Sequence, residues 1–234
     1  MAVAPALLSI VIPAYNEERW IGTLLERVLA VDVSRLVLRR EIIVVDDCST
    51  DRTAAIADAM PGVRVERLAS HRGKGFAVRA GLRAASGDYI LIQDADLAYD
   101  PRDHVAMLEA AAAHPGAAVY GSRYLRHGRR PGQYLAAYLG GRSLSLLAAW
   151  CTGTRLTDTA TALKLVPRPL LASLPLTASG FELDQEITIK LLARGVPIVE
   201  VPVAYTPRRR AEGKKIAVGD WLAGAVTLLR FRKG

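Results

Sequence analysis

The sequence predicts an α/β fold built on a mostly parallel, doubly wound sheet. Short runs of strand-forming residues recur along the first half of the chain, and each is followed by a segment with helical apolar spacing. Several of these runs are apolar at almost every position, as expected of strands covered on both faces. Strands and helices that alternate in this way fold with right-handed crossovers.

The first half of the chain supplies most of this pattern. Strands are predicted at residues 8–13, 41–47, 63–68, 89–92 and 117–122. Helices are predicted between them, from Asn16 to about Val31, from residues 49–51 to about Met60, at 73–85 and at 101–114. Asn16 is the predicted N-cap of the first helix, because its side chain can accept a backbone hydrogen bond there.

The second half departs from the simple alternation. A basic, glycine-rich loop at 125–132 precedes a predicted helix at 134–151 and a short strand at 156–166. A helix at 179–194, a strand at 196–205, a basic loop at 206–216 and a last helix at 219–232 complete the prediction. No low-complexity linker divides the chain, so we expect a single domain over residues 1–234.

Composition narrows the class of protein. About half of the residues are hydrophobic, yet no stretch approaches the roughly 18 uncharged apolar residues of a membrane-spanning helix. The start of the chain fits a first strand better than a signal peptide, because it has no basic segment. Cys48 and Cys151 are far apart and show no metal-ligand spacing. These features predict a reduced, cytoplasmic protein.

The net charge of +8 is concentrated near the end of the sequence, where residues 207–234 hold eight basic residues and two acidic ones. Such a cluster is favourable beside an anion. Nucleic acid is disfavoured as that anion, because residues 207–215 contain no aromatic side chain for base stacking. We therefore predict a lid that closes on other phosphates, with a solvated tail as the alternative.

Two carboxylates follow the end of the apolar strand predicted at 89–92. Asp94 and Asp96 come directly after the strand at 89–92. Residues two apart in an extended chain point the same way, so the two side chains converge. They would repel one another unless a divalent cation lay between them or one were protonated. The alternative is a simple turn in which the aspartates cap and Pro101 begins a helix.

Other strand ends also carry charged residues. Glu17 follows the first strand and Asp47 the second, and carboxyl ends of parallel strands share the ligand-binding edge. Lys74 lies at a predicted helix N-terminus, where a cation is unfavourable unless an anion is near. The alternative for its glycine neighbours is a tight loop. Glu182 and Asp184 begin a later helix, and their spacing alone favours compensation of the helix dipole over a role in the site.

The four histidines show no zinc-ligand spacing, and we find no nucleophile–histidine pair. The chain instead resembles the family-2 glycosyltransferases, in the branch of the dolichyl- and polyprenyl-phosphate mannosyl- and glucosyltransferases. The resemblance covers nearly the whole chain. It is carried by SIVIPAYNEE (9–18), EIIVVDDCSTDRT (41–53), GKGFAVRAGL (73–82), DADLAYDP (94–101), VYGSRY (119–124), RLTDTATALKL (155–165), GFELDQEITIK (180–190) and AEGKKI (211–216).

The resemblance implies a GT-A-type fold for nucleotide-diphospho-sugars, with a nucleotide-binding half at 1–123 and an acceptor half at 124–234. It implies a DxD pair in which Asp94 and Asp96, on either side of Ala95, hold Mg²⁺ or Mn²⁺. Arg123 and Arg142 would face the acceptor phosphate, and Arg208 and Lys214 would grip the diphosphate. Lys74 is added to the donor site from local physics alone. The residues implied for the nucleoside are Pro13, Tyr15, Glu17, Val45 and Asp47.

The implied reaction is an inverting transfer of a hexose from UDP-glucose or GDP-mannose to a polyprenyl or dolichyl phosphate, with peripheral contact to the cytoplasmic face of a membrane. A soluble or protein-linked hydroxyl acceptor is an alternative, and it would need Glu182 or Asp184 as a base. A non-catalytic nucleotide-sugar binding module is another. A nucleotidyltransferase is disfavoured, because AYNEE rather than a glycine-rich loop follows the first strand. Ala98 stands where related mannosyltransferases often have glutamine, which leaves the sugar open.

Overall fold

A seven-stranded sheet organises the part of the chain that the structure, a computed structural model, describes: residues 7–125, 129, 132–208 and 218–232. The strands are β1 (Leu7–Ala14), β2 (Arg39–Asp46), β3 (Val63–Arg67), β4 (Tyr89–Ile92), β5 (Ala118–Ser122), β6 (Lys164–Pro167) and β7 (Ile198–Pro202). The helices are α1 (Ile21–Ala30), α2 (Thr53–Asp58), α3 (Lys74–Ala84), α4 (Asp103–Ala113), α5 (Leu135–Thr152), α6 (Arg168–Ala172), α7 (Leu183–Ala193) and α8 (Val218–Phe231).

Helices cover both faces of the sheet, which confirms the doubly wound prediction. Alternate residues of the central strands enter two separate cores, because successive side chains of a strand point to opposite faces. Ile10 of β1 packs with α1, α2 and α4, whereas its neighbour Val11 packs with α3, α6 and α7. Burial on both sides explains why β1 and β2 are apolar runs without alternation.

The strand order is β3-β2-β1-β4-β6-β5-β7, and every pairing is parallel except those of β6. β6 lies antiparallel between β4 and β5, so these two strands run parallel to one another although they do not touch. The carboxyl ends of β1, β2, β4 and β5 therefore share one edge of the sheet, and that edge holds the candidate site.

The predicted strand at 156–166 was wrong over most of its length, because only Lys164–Pro167 pairs within the sheet. The preceding polar residues bond to other loops instead. Asp158 pairs with the side chain of Arg123. Thr159 donates its backbone N–H to Ser145 Oγ, and the Thr161 hydroxyl donates to the Gly121 carbonyl. The alternation of small and polar residues thus reflects a buried hydrogen-bonded loop.

Helix starts also differ from the predictions. α1 begins at Ile21, and Asn16 is not its N-cap. Asn16 adopts a left-handed conformation with φ 49°, and its side-chain oxygen accepts the Thr50 N–H at 2.8 Å. Asn16 therefore joins the loop after β1 to the loop after β2. α2, α4 and α7 begin later than predicted, and the short α6 after β6 was not predicted.

No helix in the described ranges combines the length and the apolar character needed to cross a bilayer. This agrees with the hydropathy of the sequence.

The buried His104 of α4 makes stability depend on pH. Its Nε2 lies 2.9 Å from Gln93 Oε1, and burial lowers its pKa to about 3, with the charge of Arg40 adding to the effect. The folded state therefore binds fewer protons than the unfolded state below a pH of about 6.5. The resulting stabilisation is complete above that pH and is lost as the pH falls towards the folded pKa.

We expect His104 to lower the free energy of unfolding by about 1.4 kcal/mol for each pH unit between about pH 6 and pH 4. Urea unfolding at several pH values measures this slope. In His104→Gln the slope should be shallower than in the wild type, whereas His114→Gln, at an exposed histidine, should leave it unchanged. Equal slopes for His104→Gln and the wild type would contradict the assignment.

Candidate active site

The acidic residues predicted at separate strand ends lie together at one edge of the sheet. Arg208, which follows β7 in the chain, shows this directly. Its Nη1 lies 2.8 Å from Glu17 Oε1 and 3.6 Å from Asp96 Oδ2, so it reaches the loops after β1 and β4 at once. Arg208 is the part of the predicted basic lid that the structure describes. Residues 209–217, including Lys214, lie outside the described residues.

The Asp94 and Asp96 carboxylates lie close enough for their charges to interact, while Asp94 also pairs with Lys74 and Asp96 with Arg208. Burial raises the pKa of Asp96, and the negative charges of Asp94 and Glu17 add to this effect against the Ala98 N–H and Arg208, so that the pKa lies at about 6. The part of this shift that comes from neighbouring carboxylates is repulsion, which a bound divalent cation would relieve. Asp94 and Asp96 are the residues that would hold Mg²⁺ or Mn²⁺.

The protein alone does not offer a complete coordination shell in the described residues, where no group of three or more His, Cys, Asp or Glu side chains is arranged around a common point. Mg²⁺ commonly binds through one or two carboxylates, with substrate phosphates and water filling the remaining positions. The Asp94–Asp96 pair fits that mode.

The segment around Lys74 is a tight packing point rather than a phosphate loop. The backbone at 178–180 lies directly against it: a Cβ on Gly75 would stand 2.7 Å from the Ala178 carbonyl oxygen. Phe76 N–H donates to the Ser179 carbonyl at 3.2 Å. The glycines are therefore needed for this close approach, as the tight-loop alternative proposed.

The anions that stabilise Lys74 belong to the protein itself. Its Nζ lies 2.8 Å from Asp94 Oδ1 and 3.4 Å from Asp184 Oδ2. Although burial alone would lower the pKa of Lys74, the two carboxylates raise it above its ordinary value. Lys74 thus joins the end of β4 to the start of α7.

Lys164 extends this chain of charges and was missed at the sequence level. It is fully buried, and its Nζ donates to Asp184 Oδ1 at 3.1 Å and to the Thr161 carbonyl. Burial lowers its pKa in spite of the Asp184 carboxylate. A lysine within the apolar run TALKLV was the available signal. Asp184 therefore lies between two lysines, while Glu182 accepts the N–H groups of Ser179 and Gly180.

The residues implied for the nucleoside surround the ends of β1 and β2. Pro13 and Val45 are paired in the sheet register. The ring of Tyr15 stacks on that of His71 at 3.9 Å between centroids. Asp47 accepts the N–H groups of Arg72 and Gly73 and lies 2.8 Å from His71 Nδ1. The spacing of the histidines in the sequence bears on metal binding, and it gives no indication that His71 stacks on Tyr15.

Arg123 and Arg142 both hold the loop at 157–158. Two N–H groups of the buried Arg123 guanidinium donate to Asp158 at 2.6 and 2.7 Å, and Arg142 donates to the Thr157 carbonyl. Glu200 of β7 accepts hydrogen bonds from the backbone N–H groups of Thr157 and Asp158. These contacts give both arginines a positioning role, and their contact with an acceptor phosphate stays a prediction.

The sequence of this chain is similar to those of known glycosyltransferases. The model of the family described as "Glycosyl transferase family 2" matches residues 9–149. The dolichol-phosphate mannosyltransferase of Pyrococcus furiosus is 30% identical over 212 residues, which cover 88% of this chain and 58% of that protein. The dodecaprenyl-phosphate galacturonate synthase of Rhizobium johnstonii is 35% identical over 167 residues, which cover 68% of this chain and 47% of that protein.

A similar crystal structure is that of glucosyl-3-phosphoglycerate synthase from Mycobacterium tuberculosis in complex with Mn²⁺, UDP and glucosyl-3-phosphoglycerate. It superposes with a TM-score of 0.72 at 25% identity and covers 97% of this chain and 80% of that chain. The fold is of the GT-A type, as predicted. The chain spans about half the length of the two enzymes compared by sequence.

Proposed function

Because this chain belongs to glycosyl transferase family 2, we propose that it transfers a hexose from a nucleotide-diphospho-sugar to a polyprenyl phosphate. The proposed donor is UDP-glucose or GDP-mannose, and the transfer inverts the anomeric carbon. The observation that carries the proposal is the convergence of Glu17, Asp94, Asp96 and Arg208 at one sheet edge. Relatives named for lipid-phosphate transfer support this choice of acceptor.

On the donor side, Tyr15, Asp47 and their neighbours at the ends of β1 and β2 would hold the nucleoside. Arg208 would leave Glu17 and Asp96 to bind the diphosphate, since a guanidinium binds phosphate oxygens in the same way as carboxylate oxygens. Mg²⁺ or Mn²⁺ held by Asp94 and Asp96 would neutralise charge on the departing nucleoside diphosphate. The Mn²⁺ in the mycobacterial structure supports a divalent cation.

On the acceptor side, a lipid phosphate suits the state of the nearby carboxylates. Asp184 is bound between Lys74 and Lys164, and Glu182 accepts two backbone N–H groups. A carboxylate held in this way is a poor general base. A phosphate oxygen is already anionic, so it can attack the anomeric carbon without giving up a proton. The acceptor therefore brings its own nucleophile, with Arg123 and Arg142 on its side of the site.

A transfer to a soluble hydroxyl is the second candidate, and one observation favours it. The similar mycobacterial synthase was crystallised with glucosyl-3-phosphoglycerate, which is a small soluble phosphate ester. This reaction would need a base, and Glu182 or Asp184 would have to leave its present partners. A non-catalytic nucleotide-sugar binding module would show no turnover with either acceptor.

The test is a transfer assay with radiolabelled UDP-glucose or GDP-mannose, Mn²⁺ or Mg²⁺, and polyprenyl phosphate in detergent. We expect label to enter the organic phase as a lipid-linked sugar. A parallel reaction contains 3-phosphoglycerate in place of the lipid. Label that appears only in the soluble phosphate ester would refute the lipid acceptor, and label in neither product would favour the binding module.

Arg208→Gln tests the diphosphate contact. We expect the KM for the donor to rise by about ten- to a hundredfold, because a charge-assisted hydrogen bond contributes about 1.5–3 kcal/mol. Steady-state kinetics at saturating acceptor measure the effect. Arg102→Gln is the matched control, since Arg102 is exposed and pairs with Asp100 in the loop after β4. An unchanged KM in Arg208→Gln would remove Arg208 from the donor site.

A further inference from the structure

The helices α5 and α8 form a pair at the edge of the fold. Trp221 Nε1 of α8 donates to Ser143 Oγ of α5 at 3.0 Å. Leu144 and Ala148 of α5 meet Ala225 and Leu228 of α8 in a small core that includes Ile189 of α7. The inner sides of both helices are therefore buried against each other and against the rest of the domain.

The outer sides of the same two helices are unusually apolar. Eight of the eleven large hydrophobic side chains that are exposed in the described residues lie on α5 and α8. On α5 they are Leu135, Leu139, Leu146 and Trp150, whose side chains are 54–69% exposed. On α8 they are Trp221, Leu222, Val226 and Leu229. We call this surface the α5–α8 face.

The spacing on α5 shows that its exposed residues form one continuous stripe. Positions 135, 139, 146 and 150 fall within about 60° of one another around a helix of 3.6 residues per turn. An exposed apolar patch of this kind on a soluble domain usually marks a contact with a protein or a membrane. The remaining question is which partner suits the charges around it.

The surroundings of the α5–α8 face carry positive charge. Residues 124–157, which include the whole of α5, contain five arginines and no aspartate or glutamate. Arg155 beyond α5 and Arg230 and Arg232 at the end of α8 are exposed, and Arg232 lies 5.8 Å from the ring of Trp150. Asp220 is the acidic residue of α8. Basic residues beside an apolar helical face are the combination that binds anionic lipid surfaces.

We infer that the α5–α8 face docks on an anionic phospholipid bilayer. The face carries two tryptophans, Trp150 near the end of α5 and Trp221 near the start of α8, and indole rings favour the interface between lipid and water. A second copy of the chain fits less well. Two such faces in contact would bring their arginines together, with Asp220 as the one acidic residue that α5 and α8 contribute to each face.

Docking on a membrane is a property in addition to the proposed transfer reaction. Its role rests on that reaction, because the proposed acceptor is a membrane lipid. Arg142 lies on α5 between Leu139 and Leu146, on the same side of the helix as the exposed stripe, and it donates to the Thr157 carbonyl. A bilayer against the outer side would therefore place the acceptor side of the site within one helix diameter, about 10 Å, of the lipid. A polyprenyl phosphate could then reach the site while its chain stayed in the membrane.

The test is vesicle binding without donor, acceptor or metal. Vesicles of phosphatidylcholine alone are compared with vesicles of phosphatidylcholine mixed with phosphatidylglycerol, by co-sedimentation and by tryptophan fluorescence. Trp150 and Trp221 are two of the three tryptophans in the chain, so insertion shifts the emission to shorter wavelength. We expect binding to the phosphatidylglycerol vesicles only, and weaker binding at high salt.

The double variant Leu146→Glu/Val226→Glu should bind at least about tenfold more weakly, because each change places a carboxylate on the apolar face. Leu38→Glu is the matched control, since Leu38 is 78% exposed and lies before β2, away from α5 and α8. It should bind as the wild type does. Equal binding by the double variant, or no binding by the wild type, would overturn the inference.

Size-exclusion chromatography without vesicles tests whether a second copy of the chain, rather than a bilayer, occupies the α5–α8 face. A wild-type dimer that the double variant converts to a monomer, with no vesicle binding by either, would assign the face to a second copy and overturn the lipid proposal. Asp96→Asn should bind vesicles as the wild type does. Vesicle binding can therefore fail while lipid labelling succeeds in detergent, or the reverse, so the two proposals fail separately.

Discussion

Replacement of Asp96 by asparagine is expected to lower kcat/KM for sugar transfer by about two to three orders of magnitude. Asparagine keeps the shape of the side chain and can still accept the Ala98 N–H, which Asp96 Oδ1 accepts at 3.0 Å. It removes the charge that, with Asp94, would hold the cation and balance the developing charge of the leaving group. The loss should therefore appear in turnover rather than in folding.

The matched control is Asp100→Asn. Asp100 lies in the same loop, but its carboxylate pairs with the exposed Arg102 rather than with the site. Transfer by Asp100→Asn should stay within about twofold of the wild type, since exposed ion pairs contribute little. Circular dichroism and thermal unfolding establish that both variants fold. If Asp96→Asn kept wild-type turnover, the site at the end of β4 would not be catalytic.

Replacement of Asp158 by asparagine should lower the free energy of unfolding by about 3–5 kcal/mol, more than any other single substitution predicted here. Asp158 is fully buried, and it accepts two hydrogen bonds from the Arg123 guanidinium and one from the Arg123 backbone. Without its carboxylate, the buried charge of Arg123 loses its main counter-ion. Urea unfolding measures the difference.

A double-mutant cycle separates this pair from general packing. Arg123→Met, Asp158→Asn and the double variant should show a coupling energy of about 1–3 kcal/mol, because the double variant no longer buries an isolated charge. Asp100→Asn again serves as the control, since its partner Arg102 is exposed, with an expected change below about 1 kcal/mol. Additive losses in the cycle would mean that Arg123 and Asp158 contribute independently.

The sequence predicted the strands and the edge of the sheet that holds the site because both follow from local patterns. An apolar run fixed β1, β2 and β4, and the rule that parallel strands share a ligand edge brought Glu17, Asp94 and Asp96 together. Pro13 and Val45, for which a contact with the nucleoside stays a prediction, are likewise paired at adjacent strand ends.

The parts that were missed depend on contacts distant in sequence. The antiparallel insertion of β6 between β4 and β5 has no local signal, and the polar run before it was mistaken for a strand. The partners of charged groups were also hidden. Nothing near Arg123 in sequence indicates Asp158, and nothing near Lys74 indicates Asp184, because each pair joins segments more than 30 residues apart.

Lys74 shows how a local argument can leave the partners of a charge undetected. A cation at a helix N-terminus is favourable beside an anion, which predicts a donor phosphate near Lys74. The structure places Asp94 and Asp184 beside it, two protein anions that the local sequence does not indicate. The contact of Lys74 with the donor stays a prediction.

The most direct test of the central claim is Mn²⁺ binding to the purified protein, followed by the electron paramagnetic resonance signal of the free ion. Titrations are run with UDP and with GDP, and nucleotide alone gives the background. We expect the wild type to deplete free Mn²⁺ beyond that background with one of the two nucleotides, and Asp96→Asn to lose this effect while Asp100→Asn retains it. Depletion by Asp96→Asn equal to that by the wild type would contradict the assignment of Asp94 and Asp96 as the site where cation and diphosphate meet.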